Sequence, residues 1–201
     1  VYINEANAFG NAVGHVATAV PAFIGYTPQA SYEEKSYLNV PHKITSLSQF
    51  QAIYCYPDKD KQYNPEYYLV KQKHLPEKGD YMEIGGDYYS IVPDPSTIYY
   101  LYNSIKLFFE NGGSDAYIVS VGSYGASSGK PMTPGDQIVN PNVQLADLTR
   151  GLALLKNEEE PTMYICPEAT LLPVADNGIL MQEMLLQNEE MGTAISIFDI
   201  I

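Results

Sequence analysis

Few residues in this chain have types and positions that could carry chemistry. Glu168 follows the apolar run Thr162 to Cys166, and Asp199 follows a second run, Ala194 to Phe198. If both runs are parallel strands, both acids stand at carboxyl ends, where α/β enzymes keep their sites. Two such carboxylates could act as acid and base in a glycoside hydrolysis, so one reading is an α/β hydrolase using Glu168 and Asp199. The plainer reading makes both of them loop and capping residues. No G-x-S-x-G elbow, H-E-x-x-H helix, Cys–His spacing or dinucleotide fingerprint accompanies them. No catalytic residue, cofactor site or metal site is therefore assigned.

The other reactive side chains point the same way. His15, His42 and His74 stand in three separate turn-like contexts and lack the spacing of metal ligands, so they read as surface or turn residues. Cys55 and Cys166 lie in apolar surroundings typical of inert buried thiols, and two cysteines are too few for a disulfide framework. The stretch Gly122 to Pro141 is rich in Gly, Ser and Pro but opens no basic helix, so it fails as a phosphate loop and reads as mobile and exposed. Glu158, Glu159 and Glu160 read as a solvated helix end.

The elements that would position these groups centre on Thr97 to Val121. Ile98, Leu101, Ile105 and Phe108 recur at helical spacing, widened by Tyr102 and Phe109. Asp94-Pro95-Ser96 supplies a start, Asn111-Gly112-Gly113 a stop, and Ala116 to Val121 reads as a strand buried on both faces. Val20 to Tyr26 reads as an earlier core strand, and the following loop, Thr27 to Pro41, as solvent-like. Ser46 and Gln49 form a capping box for a helix over Leu47 to Cys55 with Phe50, Ile53 and Tyr54 inward. Leu145, Leu148, Leu152 and Leu155 mark another helix, and Ile179 to Met191 a third with Leu180, Met184 and Leu185 inward. Alternation of strand and helix from Ala116 onward predicts an α/β fold, a mostly parallel sheet covered by helices.

One segment precedes the expected α/β core domain of residues 19–201, and another is inserted within it. Val1 to Glu5 alternates as a strand and is followed by turn residues, so residues 1–18 read as an extended N-terminal arm. Pro57 to Ser96 reads as a small β insertion, with a strand near Tyr67 to Val70 and a hairpin over Tyr81 to Val92 turning at Gly85-Gly86. The chain of 201 residues has no initiator Met and stops on an apolar run, so it is expected to be a fragment truncated at its C-terminus. A formal charge of −13 argues against nucleic acid, whose phosphates need clustered cations. No segment reads as a signal peptide or transmembrane span, so synthesis in the cytoplasm without direct membrane insertion is expected. Eighteen tyrosines and no tryptophan suit protein contacts, which leaves a Tyr-rich adaptor binding another protein as a further reading.

Phe108-Phe109-Glu110-Asn111-Gly112-Gly113 followed by Tyr117-Ile118-Val119-Ser120-Val121 resembles the tail sheath proteins of contractile phage tails and related injection systems. Three more pieces follow that family's order: Val1-Tyr2-Ile3-Asn4-Glu5, Thr18-Ala19-Val20-Pro21-Ala22-Phe23-Ile24-Gly25-Tyr26, and Ile44-Thr45-Ser46 before the helix containing Phe50. The resemblance spans most of the chain and corresponds to the family's N-terminal portion. It implies a structural subunit without catalytic residues that polymerises helically around an inner tube and contracts to drive that tube through a target membrane. It also implies that Val1, Tyr2, Ile3, Asn4 and Glu5 form a contact arm exchanged with a neighbouring subunit. The implied partners are other sheath subunits, the inner tube protein, and the baseplate and terminator proteins of the tail. The implied setting is a phage tail or phage-like particle assembled in a bacterial cytoplasm.

Overall fold

The computed structural model describes residues 19–57, 63–199 and 201. The arm of residues 1–18, with Val1 to Glu5, lies outside the described residues, as do His15 and most of Lys59 to Tyr63. The chain runs through β1 (Pro21–Tyr26), β2 (Ser31–Tyr32), β3 (Lys35–Ser36), β4 (His42–Ile44) and helix α1 (Leu47–Tyr54). It continues with β5 (Tyr67–Gln72), β6 (Tyr81–Ile84), β7 (Asp87–Pro93), α2 (Tyr100–Glu110) and β8 (Ala116–Gly122). It ends with α3 (Leu145–Leu154), β9 (Met163–Ile165), α4 (Val174–Met191) and β10 (Ile195–Ile197).

Five strands form the main sheet in the order β10-β9-β1-β8-β4. β1, β8, β9 and β10 are parallel, and β4 joins β8 antiparallel at one edge. The α/β class and the mostly parallel sheet are thus present, with one antiparallel edge strand that Ile44 alone did not announce. Both faces of the sheet are covered. One side buries Ile24, Val119 and Val121 against Leu148 and Leu152 of α3 and Leu180 and Met184 of α4. The other buries Phe23, Ile44 and Ile118 against Phe50 and Ile53 of α1 and Leu101 and Ile105 of α2. Burial on both faces is why β1 and β8 lack polar alternation.

Helix α2 begins two residues after Ile98, because Pro95–Thr97 forms a turn of 3-10 helix first. Asp94 caps that turn by accepting from Ser96 N–H at 3.0 Å. In α1, Ser46 Oγ accepts from Gln49 N–H at 3.2 Å, and Gln49 Oε1 accepts from Thr45 N–H at 3.0 Å, one residue outside the expected reciprocal pair. Helix α4 starts five residues before the expected Ile179, and Leu185 faces solvent at 54% exposure. Its buried stripe is Asn177, Leu180, Met184 and Gln187. Asn177 donates to the Ala169 carbonyl and Gln187 to the Leu152 carbonyl, both at 2.8 Å, so two polar residues occupy inward positions that an apolar pattern cannot reveal.

The insertion between α1 and α2 is a three-stranded antiparallel sheet, β5-β7-β6. Its β6–β7 hairpin turns at Gly85 and Gly86 with φ of 62° and 85°, which a two-residue primed turn requires. Pairing register puts Tyr67, Leu69, Ile91, Tyr89, Met82 and Ile84 on one face. The loop from Thr27 to Pro41 is more ordered than a solvent-like reading allows. It carries the β2–β3 hairpin, and Tyr37 is buried against His42 and Tyr54. That hairpin turns through Glu33 and Glu34 at φ of 47° and 64°, where non-glycine residues cost about 1–3 kcal/mol each.

Candidate functional site

The order β10-β9-β1-β8 puts β1 between its two parallel neighbours. The chain leaves β1 toward β8 on one side and later returns to β9 on the other. Such a reversal opens a crevice at the carboxyl ends of the strands, where doubly wound proteins hold ligands. Here the crevice is filled from within. Glu168, just past β9, is fully buried, and its Oε1 accepts from Leu101 N–H of α2 at 2.9 Å and from Tyr124 O–H at 2.7 Å. The amino end of a helix is a natural anion site, and in α2 the chain's own carboxylate occupies it.

Close approach of β1 completes the seat. A Cβ on Gly25 would overlap Glu168 Oε2, so only glycine lets the carboxylate lie against β1. Oε2 makes no hydrogen bond of good geometry. Burial pushes the Glu168 carboxyl up to about 7, with Tyr124 O–H and Leu101 N–H pulling it partly back. Tyr26, Tyr124 and the Cys166 thiol are in turn pushed up, first by burial, with the Glu168 charge adding to it.

Asp199 does not share this environment. It is exposed and lines an open cavity of about 740 Å³ together with Tyr100, Ser104 and Asp136, whereas Glu168 is not among the lining residues. The two acids named from sequence thus stand on the same sheet edge without facing a common space. The described histidines do not converge either. His42 is a strand residue, paired with Ile118 and half-buried with its ring centroid 4.5 Å from that of Tyr37, rather than the turn residue its prolines suggested. Burial, with Lys35 nearby, lowers its pKa. His74 is exposed in a bend. Among the described residues no group of three or more His, Cys, Asp and Glu is placed to hold a metal ion. Cys55 and Cys166 are free and buried, and burial raises the Cys55 thiol to about 11.

A second anion seat went unread in the sequence. Asp94, expected only as a helix start, is fully buried and clamps the Gly- and Ser-rich loop. Its Oδ2 accepts from Ser127 Oγ at 3.1 Å, Ser128 Oγ at 2.9 Å and Gly129 N–H at 3.0 Å. Its Oδ1 takes Ser96 Oγ at 2.6 Å. Burial alone would raise this carboxyl, yet the Ser96 contacts and then Ser128 and Ser127 hold it below the usual range. The loop expected to be mobile and exposed is therefore tied down here, and again where Tyr124 enters the core. Its partners in the loop lie 33–35 residues from Asp94, and no local pattern records that separation. Glu160 likewise meets Lys43 at 2.8 Å and Tyr117 O–H at 3.0 Å rather than water alone.

Among the described residues no helix is long and apolar enough to cross a membrane. No protein-family model matches the chain, and no curated protein matches it either.

Proposed function

We propose that this chain is a structural subunit of a contractile tail sheath, polymerising helically around an inner tube and contracting to drive it through a target membrane. The observation that carries the reading is the edge of the main sheet. Among the described residues β10 pairs only with β9, and its Ile195 and Ile197 are 63% and 46% exposed, so within that body β10 is an apolar edge strand to which another strand could add. Unpaired strand edges gain backbone hydrogen bonds by accepting a further strand, as exchange of the arm Val1, Tyr2, Ile3, Asn4 and Glu5 between subunits requires. The family-like motif supports the same reading, since its residues end α2 and build the doubly covered strand β8. The filled crevice at Glu168 further supports a role without catalysis or cofactor.

In this reading the core of residues 19–201 is the rigid body and the arm of residues 1–18 the link between neighbours. Contraction requires two packings of rigid bodies separated by a free-energy gap. The partners are sheath neighbours, the tube protein, and the baseplate and terminator proteins of a phage tail or phage-like particle. Deleting Val1 to Glu5 from the full-length protein tests the arm: sedimentation is expected to change from large polymers to single subunits. Unaltered polymers would overturn its role.

One observation favours an adaptor as a second reading. Tyr67, Leu69, Met82 and Ile84 share an exposed face of the insertion sheet, as a protein-contact surface would. Deleting Pro57 to Ser96 separates the readings, because polymers that persist without it exclude that face as the central interface.

A further inference from the structure

Helix α4 is not patterned like a helix that packs on one side only. Its buried stripe includes the amides Asn177 and Gln187, while Ile179, Leu185 and Leu186 on the outward side are 46%, 54% and 59% exposed. A single exposed leucine needs no explanation, but three aliphatic side chains within about two turns of one helix form a patch.

Spacing turns that patch into a seam. Ile179 and Leu186 are seven residues apart, and Ala175 and Gln182, at the same interval, run beside them. Asp176, Glu183 and Glu190 repeat that interval again and so line one flank. Seven residues is the spacing at which one helix lays its side chains into the surface of another, with charged flanks choosing the partner. Glu189 and Glu190 also stand in the last turn, where the helix dipole favours cations. Lys156 pairs with Glu190, and among the described residues no ion pair reaches Asp176, Glu183 or Glu189.

We infer that the outward face of α4 docks a basic amphipathic helix from a partner protein, its apolar side chains on Ile179, Leu185 and Leu186 and its Lys or Arg side chains opposite Asp176 and Glu183. Charge decides the occupant. α4 carries four acids and neither Lys nor Arg, so α4 of a second copy would set like charge against like. Lys106 of α2 and Arg150 of α3 are the only basic residues in α1 to α4, so no described helix of this chain offers a basic row. Residues 1–18 contain neither Lys nor Arg. Pro57 and Tyr63, which flank residues 58–62, stand beside α1 and α2, on the other side of the sheet from α4. The same acids would repel an anionic membrane surface, whereas they hasten the approach of a basic helix. The inference stands independently of the sheath reading.

Titrating the isotope-labelled full chain with a synthetic peptide of three heptads, leucine at a and d and lysine at e and g, and following amide shifts by NMR, tests it. Saturable shifts confined to α4 and the segments it touches are expected. A scrambled peptide of the same composition keeps the charge but loses the seam, so it should bind at least about tenfold more weakly. Leu185→Ser/Leu186→Ser alters exposed side chains only, so that protein is expected to unfold at the wild-type temperature while binding the ordered peptide at least about tenfold more weakly. Glu183→Lys should weaken the lysine peptide and strengthen its counterpart with glutamate at e and g. Absence of saturation, shifts centred away from α4, equal binding of ordered and scrambled peptides, undiminished binding by the double variant, or an unchanged preference in Glu183→Lys would each overturn the assignment.

Discussion

Glu168 keeps its proton to a pH at which an ordinary glutamate has lost it, because burial disfavours the charge more than two hydrogen bonds support it. A carboxyl raised in the folded state favours folding fully below its unfolded value and loses that contribution as pH rises toward its folded value. Stability contributed by Glu168 is therefore expected to fall between pH 4.5 and about 7, by roughly 3 kcal/mol in all. Glu168→Gln preserves the shape and the acceptor for Leu101 and Tyr124. Urea unfolding across that range should show the wild type losing stability relative to the variant; a flat difference would contradict the buried, uncompensated carboxyl. Gly25→Ala tests the same seat by crowding it, with an expected loss of about 1–3 kcal/mol. The sequence placed Glu168 correctly after a strand, but its burial depends on Gly25, Leu101 and Tyr124, which no spacing connects to it.

At the scale of elements, α2 and β8 were legible because their apolar residues follow the period of a helix and the continuity of a doubly covered strand. Ile105 is fully buried between α2 and the sheet, so Ile105→Ala should cost about 2–5 kcal/mol in chemical unfolding and Ile105→Asp should abolish soluble folding. An Ile105→Asp protein with unchanged thermal unfolding would remove α2 from the core. Helix α4 was legible only in part, since Asn177 and Gln187 face inward to bond loop and helix carbonyls while Leu185 and Leu186 face out. The β2–β3 hairpin escaped notice because Glu-Glu is among the least expected pairs for its turn. The β6–β7 hairpin was plain because Gly-Gly is what such a turn asks for.

For the whole molecule, the α/β sheet followed from the order of strands and helices, while the antiparallel edge β4 did not, since three residues give too short a pattern. Among the described residues, the β10 edge and the exposed face of the insertion are the surfaces on which the proposed assembly rests. Assembly is therefore the central claim. The most direct test is negative-stain electron microscopy of the full-length protein co-expressed with the inner-tube protein that the proposal requires. Hollow, transversely striated tubes are the expected result, and single subunits in the presence of formed inner tubes would contradict the account.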